Sequence, residues 1–133
     1  MWVATRDEEV VGFVSFGKCR DEGAPQSQGE VWALYVSPEV WGQGVGRALL
    51  DEAVRESQAA GYRVISLWVL SQNQRGLRFY EGCGFSRVVG SEKHFELGGR
   101  QVEEVCLKKQ NDAPIEVVPH DSTRPLLRAD VSH

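Results

Sequence analysis

The sequence predicts one α/β domain built on a mixed sheet, and three observations point to it. Segments rich in Val, Phe and Trp with strand-like alternation occupy the N-terminal third. A glycine-rich turn, "WGQGVG", then runs directly into an amphipathic helix. Beyond that helix come a nearly unbroken apolar run of strand length, a second short helix and further strand, so helices alternate with strands. At 133 residues the chain is long enough to bury one core.

Taken in order, "MWVATR" and "EEVVGFVSFGKC" (Glu8 to Cys19) read as a hairpin turning at "DEE". The polar, Gly- and Pro-containing stretch from Arg20 to Gly29 reads as a loop. "EVWALYV", Glu30 to Val36, is the next strand. In the helix after the glycine turn, Val45, Leu49 and Ala53 fall on one side, with Leu50 and Val54 flanking them, and Gly61 is placed to end it as the C′ residue. "YRVISLWVL", Tyr62 to Leu70, is apolar enough for a strand covered on both faces. A short helix is expected from Asn73 to Glu81, broken by Gly82 and Gly84, and two strands flank the Gly98-Gly99 turn. The expected order is β-β-β-α-β-α-β-β.

Composition narrows the function classes. The apolar fraction of 41% and charged fraction of 26% are ordinary for a globular domain. A formal charge of −4 argues against nucleic acid or an anionic membrane as partner. No apolar run approaches the roughly 20 residues of a membrane span, and the acidic start lacks the basic and apolar regions of a signal peptide. Cys19, Cys83 and Cys106 are an odd number without CxxC or metal-ligand spacing, which reads as three free thiols in a reducing, cytoplasmic setting and no metal. His94, His120 and His133 have no spacing partner and read as surface or packing residues.

The glycine turn is where chemistry enters. Gly42, Gly44 and Gly46 separate a strand from a helix start, where backbone N–H groups lack intrahelical partners and the helix dipole is positive. Glycines let such donors close around a phosphate; the bland alternative is a tight turn with no ligand. A Walker loop is excluded because Arg47-Ala48 follows Gly46 where Lys and Ser or Thr are required. The dinucleotide pattern GxGxxG fails in both registers, at Arg47 and at Leu49.

A third pattern fits. "LYVSPEVWGQGVGRALL" resembles the acyl-coenzyme A binding segment, Q/R-x-x-G-x-G/A, of the GCN5-related N-acetyltransferase (GNAT) family, with Trp41 where Gln or Arg is usual. "NQRGLRFYEGCGF" resembles that family's N-x-x-x-x-x-x-Y-x-x-x-G-F block, and the two lie in the family's order and separation. The resemblance spans roughly Val3 to Leu107 and implies a mostly antiparallel mixed sheet with splayed central strands. It implies that the amides of Gly42, Gln43, Gly44, Val45, Gly46 and Arg47 grip the diphosphate of acetyl-CoA. Leu34, Tyr35 and Val36 would pair with its pantetheine arm, Asn73 would contact that arm, and Tyr80 would sit by the thiol.

Acetyl transfer to an amine needs a proton removed from the amine, the oxyanion stabilised and the thiolate protonated. By resemblance Tyr80 supplies the last proton and the Val36 amide polarises the thioester carbonyl. Glu30 matches a family carboxylate that deprotonates the amine; the bland reading is a solvated strand-end residue. At the other family position for this base stands Trp68, which floors an acceptor pocket or simply packs. The expected acceptor is a small-molecule or peptide primary amine. The alternatives are a non-catalytic acyl-CoA binding or regulatory module, or one half of a tandem acetyltransferase.

Family members place a strand and two helices before the first strand seen here, so the N-terminal strand and helices are expected to be missing or permuted. Residues 1–110 are expected to form the acetyltransferase domain and 111–133 a tail. Within the tail "IEVV", Ile115 to Val118, has the character of an edge strand that returns to the sheet or exchanges between two chains of a homodimer. The opening of a further domain and a loose terminus are the other readings.

Overall fold

The computed structural model describes residues 1–111 and 117–119. Nine elements of regular structure follow one another: β1 (Trp2–Arg6), β2 (Glu9–Lys18), β3 (Gln28–Val36), α1 (Val45–Ala59), β4 (Val64–Leu70), α2 (Gln74–Gly82), β5 (Ser86–Arg87), β6 (Lys93–Leu97) and β7 (Arg100–Gln110). A single 3₁₀ turn at Pro38–Val40 precedes the glycines. The strands form one sheet in the order β1-β2-β3-β4-β7-β5, with β6 beside β5 on the same edge of β7. Every pairing is antiparallel except β3 with β4.

Local sequence accounts for most boundaries. The β1–β2 hairpin turns on Asp7 and Glu8, both at positive φ (50° and 67°), a backbone suited to the right-handed twist of a two-residue hairpin although neither residue is glycine. Helix α1 ends in a Schellman motif: Gly61 is at φ 91°, its N–H bonds Gln58 O, and the Tyr62 N–H bonds Ser57 O. Asn73 caps α2 rather than beginning it, and Gly82 is the last helical residue. The β3 strand begins two residues earlier than expected, and β4 begins at Val64. The strand expected before Gly98-Gly99 is split: β5 and β6 both pair with β7, and a turn at Val88–Ser91 with Gly90 at positive φ separates them.

Both helices pack on one face of the sheet. Leu49, Leu50 and Ala53 of α1 and Leu77 of α2 join Ile65, Leu67 and Val69 of β4 and Val105 and Leu107 of β7 in one core cluster. Burying each large aliphatic side chain there contributes about 1.5–3 kcal/mol before entropy is counted. The stripe expected on α1 holds, with Ser57 joining the buried set. On the opposite face, the loop after β2 lies over β4: the Asp21 carboxylate accepts from Trp68 Nε1 at 3.1 and 3.2 Å. Under it Gln28 Nε2 donates to Ser66 Oγ at 3.1 Å, and both residues are buried. All three cysteines are free and buried.

Two departures from regular pairing position the site. A bulge in β3 leaves Trp32 without a partner, since Ser15 pairs with Ala33 and Phe16 with Val31. The parallel β3–β4 pairing covers just three residues, Gln28 to Glu30 against Val64 to Ser66, whereas β2 follows β3 to Val36. From Val31 onward β3 and β4 diverge, which is the expected splay. The edge strand expected from Ile115–Val118 begins outside the described residues; Val117, Val118 and Pro119 are exposed and carry no strand.

Candidate active site

The divergence of β3 and β4 opens a cleft of about 600 Å³ between the end of β3, the glycine turn and α2. Its first wall is Leu34, Tyr35 and Val36. The Ser37 N–H bonds back to Val11 on β2, so by antiparallel alternation Tyr35 also faces β2 while Leu34 and Val36 turn their backbone groups toward the gap. With β4 no longer alongside, those groups form an open strand edge except for the Val36 carbonyl, which Trp41 Nε1 occupies.

The second wall is the start of α1. Gly42 and Gly44 are at φ 82° and 83°, the left-handed conformation that disfavours side chains, and Gly44 is the N-cap. Having no side chain, it caps nothing. The N–H groups of Gly44, Val45, Gly46 and Arg47 therefore have no acceptor among the described residues, while Ala48 is the first to bond within the helix. Gly46 is small for a different reason: a Cβ there would come within 3.3 Å of the Phe79 ring and 3.4 Å of Val36. Gln43 is the exception in this turn. Its N–H is taken by Val40 O at 3.3 Å and its side chain accepts from Arg6, so it does not line the cleft.

The third wall is α2. Asn73 Oδ1 accepts the Gly76 N–H at 2.9 Å, which caps the helix and leaves the amino half of the amide uncommitted. Tyr80 is half-buried, edge-on to Phe79 and Phe85 at ring-centroid distances of 5.2 and 6.2 Å. Burial pushes the Tyr80 phenol above its ordinary value, with the neighbouring Cys83 thiol adding to the shift. The phenol is thus a protonated donor at neutral pH.

Among the lining residues not expected as site residues, Trp41 and Arg75 stand out. Trp41 Nε1 donates to the Val36 carbonyl at 2.8 Å, and the Arg75 guanidinium lies 4.0 Å from the Trp41 ring centroid. Trp41 was legible as a departure from the pattern; Arg75 left no signal in the sequence. Arg47 and Arg75 are the charged residues lining the cleft, and no carboxylate or imidazole lines it among the described residues.

Glu30 is not brought into this cleft. It is the last residue paired across the β3–β4 seam, is buried, and accepts the Arg20 N–H at 3.0 Å. Simple alternation would put it on the same side as Leu34 and Val36, but the bulge at Trp32 reverses the phase, and Glu30 lies on the opposite face beside Cys19 and Asp21. Donor atoms of these three residues lie within 4.8 Å of one another. Trp68 is on that face too, hydrogen-bonded to Asp21 with Lys93 4.2 Å above its ring. His94 is not isolated: its Nε2 is 2.8 Å from Glu103 Oε2.

A model of the acetyltransferase (GNAT) family matches residues 1–85. A mycothiol acetyltransferase of Propionibacterium freudenreichii subsp. shermanii is 40% identical over 88 residues, which are 65% of this chain and 28% of that protein. An uncharacterized N-acetyltransferase of Bacillus subtilis, YuaI, is 37% identical over 98 residues, 74% of this chain and 54% of that one. The chain thus spans between 28% and 54% of the length of these two relatives. Among solved structures, yncA from Salmonella typhimurium, determined with its cofactor acetyl-CoA, has a TM-score of 0.73 at 27% identity over 90% of this chain and 67% of that one. A ribosomal-protein-alanine N-acetyltransferase from Brucella melitensis has a TM-score of 0.72 at 25% identity, with 81% and 66% covered.

Proposed function

The chain belongs to the GNAT acetyltransferase family, and from that premise we propose that it transfers an acetyl group from acetyl-CoA to a primary amine. The observation that carries the proposal is the start of α1. Among the described residues, four N–H donors without acceptors open into a cleft whose charged residues are both arginines, in a chain of net charge −4. A polyanionic carrier is the ligand that such an arrangement favours.

The fit extends along the cleft. The amides of Gly44 to Arg47 suit the diphosphate, and Gly42 supplies the turn that aims them. The open edge at Leu34 and Val36 suits the amides of the pantetheine arm, as an added strand would pair with it. Asn73 offers its amino group to the same arm. Bound there, acetyl-CoA supplies an activated acyl group. An ammonium must lose one proton to become the nucleophile and a second as the C–N bond forms, while the sulfur gains one as the C–S bond breaks, so one proton is released to solvent per turnover. Tyr80 holds the proton for the sulfur. Val36 keeps an N–H on the gap side for the carbonyl oxygen, while its own carbonyl is occupied by Trp41.

The amine approaches from the opposite face, where Asp21 and Glu30 bring two carboxylates together and Glu30 sits at the fork of the strands. An acidic approach favours a protonated amine, and Glu30 is the residue we assign to take its proton, through water. Glu30 is absent from the cleft lining, and that favours a second reading, a carrier-binding module without turnover. Calorimetry with acetyl-CoA followed by thiol release against a panel of small and peptide amines separates the two. Saturable binding with release on one amine class supports the transferase; binding with no release on any amine supports the module; no binding refutes both.

A further inference from the structure

We infer that Arg75, held on the face of Trp41, is a diphosphate-binding residue of the carrier cleft and that the Trp41–Arg75 pair is one functional unit; this rests on the acetyl-CoA reading above.

The indole is fixed first. Its Nε1 bonds the Val36 carbonyl at 2.8 Å, and Trp41 adjoins Gly42 in the turn that aims the free amides. The guanidinium of Arg75 then rests 4.0 Å from the ring centroid. A flexible arginine on a helix surface loses rotamer entropy when it is held in one place. Stacking on an indole offsets part of that loss and leaves the N–H edge of the guanidinium available for a planar oxyanion.

Position argues that the charge has an external partner. Arg75 lies in the first turn of α2 and Arg47 in the first turn of α1, and neither first turn contains an acidic residue. Cations at helix N-termini oppose the dipole, at a cost of a few tenths to about 1 kcal/mol each. Two helix starts and two arginines thus concentrate positive potential on one cleft. Neither arginine is in an ion pair among the described residues. An anion entering the cleft relieves all four terms at once.

The pair also accounts for an oddity of the sequence. Trp41 occupies the place where the resembling segments carry Gln or Arg. Here the turn keeps an aromatic platform, and the cation is delivered to it from α2.

The test is titration calorimetry of acetyl-CoA and of 3′-dephospho-acetyl-CoA against wild type, Arg75→Gln, Trp41→Leu, the double variant Arg75→Gln/Trp41→Leu, and Arg75→Gln/Trp41→Arg. Loss of one charge-assisted contact should raise Kd about 10-fold in Arg75→Gln. The penalty should be the same for both carriers and should shrink in 1 M salt through screening. Adding Trp41→Leu to Arg75→Gln should cost little more, because the two act together. Trp41→Arg on the Arg75→Gln background should recover most of the affinity. Wild-type binding with an unchanged Kd in Arg75→Gln would overturn the inference alone, as would a penalty confined to the 3′-phosphorylated carrier or a failure of Trp41→Arg to rescue. Absence of wild-type binding would remove this inference together with the acetyl-CoA reading. Arg75 is exposed, so its substitution leaves the fold intact, and unchanged thermal melting of each variant confirms it.

Discussion

Asn73 and Gly76 are locked together: the Asn73 amide oxygen accepts the Gly76 N–H at 2.9 Å, and a Cβ on Gly76 would lie 2.5 Å from Asn73 Nδ2. Gly76→Ala therefore cannot be accommodated unless the amide swings away. Losing the cap costs about 1 kcal/mol, and alanine in place of glycine within a helix returns roughly 0.5–1 kcal/mol. These offset, so the melting temperature should stay within a few degrees. Acetyl-CoA affinity should nevertheless fall by about 5-fold, the worth of one hydrogen bond of the displaced amide. Calorimetry beside thermal melting reads both; unchanged affinity would release Asn73 from any role in carrier binding.

In the proposed reaction Tyr80 must be protonated to serve the departing thiolate, and burial raises its phenol above the ordinary value of 10. Activity that depends on it is then lost only as pH climbs above about 10, with no descending limb near neutrality. Tyr80→Phe should lower kcat by about 10²-fold and leave the carrier Kd nearly unchanged. A descending limb between pH 7 and 9 that survives in Tyr80→Phe would assign the proton to another group.

Glu30→Gln preserves an oxygen for the Arg20 N–H and removes the charge. If Glu30 takes the amine proton, kcat should drop by about 10²-fold and carrier affinity should not move, since the carboxylate lies outside the cleft. An unchanged kcat across pH would confine Glu30 to holding the loop after β2.

Glu103 gives a pH signature of the fold. The Ser71 hydroxyl donates to one carboxylate oxygen at 2.6 Å and holds the group below its ordinary 4.5; His94, on the other oxygen, adds to the lowering against a desolvation contribution that opposes it. A depressed carboxyl adds stability that is fully present above the unfolded value near 4.5 and is lost as pH falls through the folded value. Ser71→Ala should therefore be less stable than wild type at pH 7, and the difference should vanish in acid. Equal stability differences at pH 7 and pH 3, from urea unfolding, would contradict this.

The three thiols are buried, and burial pushes each upward, Cys106 to about 11. Since the thiolate is the reactive form, a disulfide reagent at pH 8 should label the native chain slowly and all three cysteines at once in denaturant. Fast labelling of one thiol in the native state would mark a local opening at that position.

How much of the site was legible varies with what each part demands of the residue that makes it. Gly42 and Gly44 were readable because positive φ writes glycine into the sequence. Gly61 was readable because helix ends have few solutions, and the start of α2 was read one residue early, at the Asn73 cap itself. The face of the sheet on which Glu30 lies was not legible, because the bulge at Trp32 changes the phase of β3 and nothing in the residue types announces a bulge. The division of one strand into β5 and β6 did leave a signal, since Gly90-Ser91 in "VVGSE" is a turn pair that interrupts the strand pattern. Arg75 meets Trp41 through tertiary packing alone, with α1 and β4 between them in the chain.

The narrow parallel seam has a mechanical consequence. Three residue pairs hold β3 to β4, against seven between β4 and β7, so the sheet is two stiff leaves stitched by a short row of hydrogen bonds with α1 laid across the join. Tension applied across those leaves would tear the stitch first, and a ligand threaded into the gap would lengthen it. If the cleft takes the proposed carrier, loading it should toughen the domain against pulling, because the carrier's amides would pair with the edge that β4 leaves open.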